Sequence, residues 1–211
     1  MEGTGSILDL GCAEGLFAQL ASSKGWKVLG MDVDMTSLAA AKRRVPVAGF
    51  ALGSGEALPF LDASFDRVIM LDVLEHVPSE SLTLKEVDRV LRPGGKLIIS
   101  VPHKGTFAYI DAQNSHLFAA GRKVLKGRSN GEHHKHYSLQ ELQGMLGSSY
   151  HTSHCRYGGY FLFPLLGYVL MFTDGLRLGK VSASLRRIEQ VDFDRDRGEK
   201  SWHLMVEFTK D

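Results

Sequence analysis

The chain reads as an α/β protein: a doubly wound, mostly parallel seven-stranded sheet with helices on both faces. Three observations predict it. Short apolar runs bounded by turn residues alternate with amphipathic stretches through the first half of the chain. Two of those runs, Phe65–Leu71 (FDRVIML) and Lys96–Val101 (KLIISV), are nearly continuous in their apolar character, as strands covered on both faces are. The first strand also ends in a glycine-containing turn that opens a helix, Asp9-Leu10-Gly11-Cys12-Ala13-Glu14-Gly15. Strands alternating with helices imply right-handed crossovers and a parallel sheet. Such sheets bind ligands beyond the carboxyl ends of their strands, so the residues just after each strand carry the functional information.

In order, Ser6–Leu10 is a short apolar strand and Leu16–Ser23 the helix after it. Lys27–Met31 is a second strand, and Thr36–Arg44 a helix with an Ala-rich face. Val47–Leu52 is a weak third strand interrupted by Gly49, and Phe65–Leu71 a strong fourth. Ser79–Leu91 places Leu82, Val87, Val90 and Leu91 at helical spacing, and Arg92-Pro93-Gly94-Gly95 stops it. Lys96–Val101 is the fifth strand. Residues 103–137 are long, polar and rich in Gly, His, Lys and Arg. Ser138–Leu146 then reads as a helix capped by Ser138 with Glu141 three positions on. His151–Tyr157 reads as a strand, and the alternation in His203–Thr209 (HLMVEFT) reads as a final edge strand.

Composition narrows the function classes. The 211 residues fit one domain, 44% hydrophobic and 23% charged, as in soluble globular proteins. Lys+Arg is 25 against Asp+Glu 24, a net charge of +1, without the basic excess of a dedicated nucleic-acid binder. Cys12 and Cys155 suggest neither a disulfide framework nor a zinc site and read as reduced thiols of a cytoplasmic protein. Met1–Ser6 is polar and Gly-rich, unlike a signal peptide. Tyr160–Phe172 (YFLFPLLGYVLMF) carries no charge, but it is shorter than the roughly 20 apolar residues of a membrane span. Pro164 and Gly167 interrupt it. A buried helix or pocket lid is the first reading, with an interfacial membrane contact and an oligomer interface as alternatives.

In the glycine turn, Gly11 and Gly15 remove side chains where a ligand would approach backbone. The spacing is not that of the dinucleotide fingerprint. The second strand runs out at Asp32, an acidic residue placed to accept hydrogen bonds from both ribose hydroxyls of a nucleoside. Asp34 competes for that role, and Asp32 is favoured because it directly follows the apolar run.

These motifs recur in a known order. Asp9–Gly15, Gly30-Met31-Asp32-Val33-Asp34, Gly55-Glu56-Ala57-Leu58-Pro59-Phe60, Ser64-Phe65-Asp66, Asp72-Val73-Leu74-Glu75-His76-Val77 and Leu91-Arg92-Pro93-Gly94-Gly95 follow one another at natural spacing. The stretch Ile7–Pro102 thereby resembles class I, Rossmann-like S-adenosylmethionine-dependent methyltransferases, in particular the small-molecule group that includes ubiquinone-type methylases. The resemblance implies S-adenosyl-L-methionine as cofactor. Asp9 would meet its ammonium group, and Gly11, Cys12, Ala13 and Gly15 would form the turn at its carboxylate. Asp32 would hold the ribose. Val33, Ser54, Gly55, Glu56 and Ala57 would surround the adenine, and Leu71 and the residues after it, including His76, would close the methionine side. No phosphate is present in this cofactor, which agrees with a glycine turn free of Lys and Arg. Three departures stand out. Ala13 replaces the usual middle glycine. Ser54 replaces the acidic residue that commonly meets the adenine amino group. The sheet also begins almost at Met1, where relatives carry covering helices.

The acceptor is expected to be a small or lipid-like molecule, methylated at oxygen or carbon, with residues 1–102 as cofactor core and 103–137 and 157–200 as acceptor-binding cap. A base is needed where the acceptor must lose a proton near the transition state. His76, just beyond the fourth strand, and His103, just beyond the fifth, are candidates. So are His133, His134 and His136 in Gly131–Tyr137, where a solvated loop is the competing reading. No metal is expected from that histidine cluster, which lacks further ligands. The basic group Arg122, Lys123, Lys126 and Arg128, with the apolar 160–172 run, keeps a peripheral membrane contact open. A domain that binds the cofactor or its demethylated product without turnover would share every motif up to Pro102.

Overall fold

The structure, a computed structural model, describes residues 4–105, 135–159, 194, 196 and 198–211. Seven strands form one sheet in the order β3-β2-β1-β4-β5-β7-β6. They are β1 (Ser6–Leu10), β2 (Lys27–Asp32), β3 (Gly49–Leu52), β4 (Phe65–Leu71), β5 (Leu91–Pro102), β6 (Tyr150–Gly158) and β7 (His203–Lys210). The helices among the described residues are α1 (Leu16–Ser23), α2 (Met35–Arg44), α3 (Glu80–Val90) and α4 (Leu139–Leu146). β1 pairs in parallel with β2 and β4, β2 with β3, and β4 with β5.

The continuous apolar runs have the predicted cause. Ile7 and Leu8 of β1, Val68, Ile69 and Met70 of β4, and Leu97 and Ile99 of β5 are all fully buried. One core cluster joins Ile7, Val28, Ile69 and Ile98 from the strands to Ala18 and Ala21 of α1 and to Trp26. α3 contributes Leu84, Val87 and Val90 at helical spacing. Ser79 caps it by accepting the Leu82 amide. The chain leaves β1 in one direction along the sheet and β4 in the other, so the order reverses between these two neighbours. That reversal is where an open α/β sheet holds a ligand.

Two readings of the sequence change. The Arg92–Gly95 turn does not precede the fifth strand but lies within it: β5 starts at Leu91, and a register irregularity separates the Phe65–Leu91 and Arg67–Lys96 pairs. His203–Thr209 is not an edge. β7 lies between β5 and β6, and β6 is the outer strand. The alternation in β7 comes from Leu204, Val206 and Phe208, all fully buried, while Glu207 pairs with Lys96 of β5 and Arg67 of β4. An alternating strand reports one-sided polarity, which internal strands also show when their polar side chains are paired.

Contacts divide the chain into two compact units. One comprises Met1–Ser100, Gln140–His154 and Val206–Asp211; the other comprises Val101–Leu139 and Cys155–Met205. No helix among the described residues is long and apolar enough to cross a membrane. The apolar 160–172 run and the Arg122–Arg128 basic group lie outside the described residues.

Candidate functional site: a crevice at the carboxyl edge of β1, β2 and β4

In the first unit a cavity of about 290 Å³ opens at the carboxyl ends of the strands. Leu10 and Gly11 line it from β1, Met31, Asp32 and Val33 from β2, Gly53, Ser54 and Gly55 from beyond β3, and Val73, His76, Val77 and Pro78 from beyond β4.

The turn after β1 is tied to β2, because the amides of Gly11 and Cys12 both donate to the Met31 carbonyl, at 2.8 and 3.1 Å. Gly11 has φ +73°, and a Cβ there would come within 2.3 Å of Val73 Cγ2. The glycine thus lets the segment after β4 approach the turn. Ala13 takes φ +44°, and its amide donates to Asp32 Oδ2 at 2.8 Å. Gly15, at φ +77°, precedes the first residue of α1, and a Cβ there would crowd Ala41 of α2 at 3.0 Å. Its role is helix packing more than ligand contact.

The two carboxylates after β2 separate in function. Asp34 caps α2, accepting from the amides of Thr36 and Ser37 and from the Ser37 hydroxyl. Asp32 lines the cavity, its oxygens also accepting from Ala13 and Asp34. Each carboxylate oxygen has a further lone pair for a ligand.

Asp9 lies in β1 and is buried, and its Oδ2 has no hydrogen-bond partner among the described residues. Burial, with the Asp32 charge nearby, pushes its carboxyl up to about 7. Glu75 is likewise buried with an unpartnered Oε2. Burial first, and the Asp72 charge less strongly, raise it to about 8. Asp72 turns the chain out of β4 in a left-handed conformation, φ +55°, its amide held by the Ser100 carbonyl. Burial, with the Asp9 and Asp32 charges, pushes the Cys12 thiol up to about 12, so it is no nucleophile.

The loop carrying Ser54–Ala57 is clamped from α3. Glu86 accepts the Leu58 amide at 2.8 Å, and Arg89 donates to the carbonyls of Leu58 and Phe60. Arg89 in turn holds the Glu86 carboxyl down at about 2.

Of the residues expected from the sequence, Gly11, Asp32, Val33, Ser54, Gly55 and His76 line the cavity. Asp9, Cys12, Ala13, Gly15, Glu56 and Ala57 lie in the strand and turns around it without lining it. Leu71 packs against the core cluster instead. Val73 and Val77, two of the residues after Leu71, line the cavity as well. Leu10, Met31, Gly53 and Pro78 were not anticipated; the rule that ligands lie beyond strand ends could have found Leu10 and Met31. His103 is buried in the second unit, where its Nδ1 lies 3.0 Å from the Ser201 carbonyl and its ring meets Tyr157 edge-on. A carbonyl only accepts, so Nδ1 carries the hydrogen and Nε2 is the basic nitrogen. His136 packs edge-on against Trp202 in the same unit. His133 and His134 lie outside the described residues.

The chain is similar to several known proteins. Residues 8–99 match the family described as a methyltransferase domain. The chain is 36% identical over 102 residues to a probable S-adenosylmethionine-dependent methyltransferase of Mycolicibacterium smegmatis, covering 48% of this chain and 40% of that one. It is 35% identical over 101 residues to the demethylmenaquinone methyltransferase of Renibacterium salmoninarum, covering 48% and 43%. The chain thus spans about two fifths of the length of these curated relatives. Among solved structures, a methyltransferase of the same kind from Mesorhizobium loti superposes with TM-score 0.65 at 20% identity, over 99% of this chain and 92% of that one. At that identity the likeness shows the fold.

Proposed function

We propose, from the match of residues 8–99 to a methyltransferase domain family and the likeness of that stretch to S-adenosylmethionine-dependent relatives, that the chain transfers a methyl group from S-adenosylmethionine to a small-molecule or lipid-like acceptor, at oxygen or carbon. One observation carries the cofactor assignment: Asp9 is buried at the switch point of the sheet with an oxygen that has no partner among the described residues. A buried carboxylate without a partner is costly, and an incoming ammonium group removes that cost. The donor set fits the rest of the cofactor: a carboxylate at Asp32 for two ribose hydroxyls, an open glycine turn for the amino-acid end, and apolar walls for the base.

When bound, the cofactor supplies a sulfonium methyl, which passes in line to the acceptor while the sulfur keeps the electron pair of the broken bond. The protein's part is alignment and exclusion of water. An oxygen or carbon acceptor sheds a proton as its new bond forms. His76 in the cavity wall, and His103 with its basic Nε2, are the bases proposed for that proton, with His133, His134 and His136 as further candidates. Segments 103–137 and 157–200 are proposed to bind the acceptor, and a peripheral membrane contact fits an acceptor of lipid character.

Isothermal titration with S-adenosylhomocysteine, alongside Asp32→Ala, tests the assignment. Micromolar binding that the variant loses supports it. Absence of binding to the unaltered protein overturns it. Binding without methyl transfer to any acceptor in a broad panel would make the chain a cofactor-binding domain.

A further inference from the structure

Among the residues lining the cavity, only Asp32, Ser54 and His76 carry polar side-chain nitrogen or oxygen atoms. Asp32 faces Leu52 in the β2–β3 register, and the Gly53 amide donates to the Asp32 carbonyl at 3.0 Å. Gly53 therefore lies beside Asp32, and Ser54 and Gly55 continue the cavity wall from there, Gly55 coming up against Leu10 of β1. A purine attached to a ribose held by Asp32 comes to rest there. The side chain that the 53–55 loop offers to its edge is the Ser54 hydroxyl.

We propose that Ser54 leaves the 6-amino group of the purine unread, so that the site takes 6-deaminated cofactor analogues nearly as well as the adenine form. This rests on the cofactor assignment above. A carboxylate in this position could only accept hydrogen bonds. Removing the amino group would then strand a desolvated charge, and sites built that way reject the truncated ligand strongly. A hydroxyl both donates and accepts, and it rotates. Ser54 Oγ already accepts the Glu56 amide at 3.3 Å, and that bond is kept whichever purine is bound. Neither ligand leaves Ser54 unpaired, so the amino group contributes little to the difference in affinity.

The test is calorimetric titration of the full chain with two probes, S-adenosylhomocysteine and its analogue with hydrogen at purine position 6. The wild type is expected to bind both with dissociation constants within about tenfold of each other. Ser54→Asp is expected to widen that ratio to roughly a hundredfold or more in favour of the amino form. Ser54→Ala, which adds no charge, is expected to keep the narrow wild-type ratio. A wild type that itself rejects the analogue by a hundredfold overturns the proposal and assigns the amino group to a backbone carbonyl or to His76. Failure of the wild type to bind S-adenosylhomocysteine at all removes the cofactor assignment, and this inference with it.

Discussion

Ala13 donates its amide to Asp32 Oδ2 at 2.8 Å, and it does so from a left-handed backbone at φ +44°. The hydrogen bond holds an alanine where glycine sits without strain. Left-handed backbone costs an L-residue roughly 1–2 kcal/mol, partly offset because glycine has more freedom to lose on folding. Ala13→Gly is therefore expected to raise unfolding stability by roughly 1 kcal/mol, with cofactor affinity unchanged within about twofold. Urea denaturation checks the first and titration the second. A destabilised Gly variant would show that no strain is stored at Ala13.

The same bond separates the two acidic residues after β2. Asp32→Ala removes the ligand-facing carboxylate and the anchor of the Ala13 turn together, so binding of S-adenosylhomocysteine is expected to disappear. Asp34→Ala removes only the cap of α2, at about 1 kcal/mol of stability, and should leave the affinity nearly unchanged. Equal loss of binding in both variants would mean that the ribose is held differently.

How much of this was legible follows from where each signal resides. Strands β1, β4 and β5 could be read because burial on both faces forces apolar runs, and the placing of a ligand beyond the carboxyl ends of the strands followed from alternation. The place of Asp32 in the cavity wall could be read because it depends only on where β2 ends. The position of β7 could not, because pairing of Glu207 with Lys96 and Arg67 is a relation between distant residues that alternation alone does not encode. Nor could the demotion of Leu71 to a core residue, since the cluster it packs against joins Ile7, Val28, Ile69 and Ile98 from four strands to Ala18 and Ala21 of α1 and to Trp26. The same holds for the clamp of Arg89 on Leu58 and Phe60: in sequence, Arg89 is one more cation on a helix.

Gly11 meets Val73 at the base of the crevice. Gly11→Ala is strained by its φ of +73° and by the 2.3 Å approach of Val73 Cγ2. Loss of cofactor binding and roughly 2–4 kcal/mol of stability are expected. Val73→Ala removes the clashing methyls, so the double variant should recover part of the stability but not the part due to backbone conformation. Melting curves of the single and double variants form the cycle. Strict additivity would refute the contact as the source of the loss.

Asp9 and Glu75 make the free protein less stable as pH rises through the neutral range. Their folded carboxyls titrate at about 7 and about 8, above the ordinary 3.8 and 4.5 of the same side chains in an unfolded chain. Between each pair of values the folded state holds a proton that the unfolded state has lost. Stability is then full below about pH 4 and falls as pH rises, by up to about 1.4 kcal/mol per pH unit for each group, levelling off above the folded value. Ligand binding runs the other way, because the ammonium group of S-adenosylhomocysteine pairs with ionised Asp9. Affinity should weaken by up to about tenfold for each pH unit below 7. Asp9→Asn keeps the shape and removes the titration. It should be more stable than the wild type at pH 8, flatten part of the stability profile and bind S-adenosylhomocysteine weakly with little pH dependence. Glu75→Gln should flatten the remaining part while leaving the pH dependence of binding in place. Urea melts and titrations at pH 5, 7 and 9 read both effects. An Asp9→Asn protein that keeps the wild-type pH dependence of affinity would place the ligand's ammonium group elsewhere.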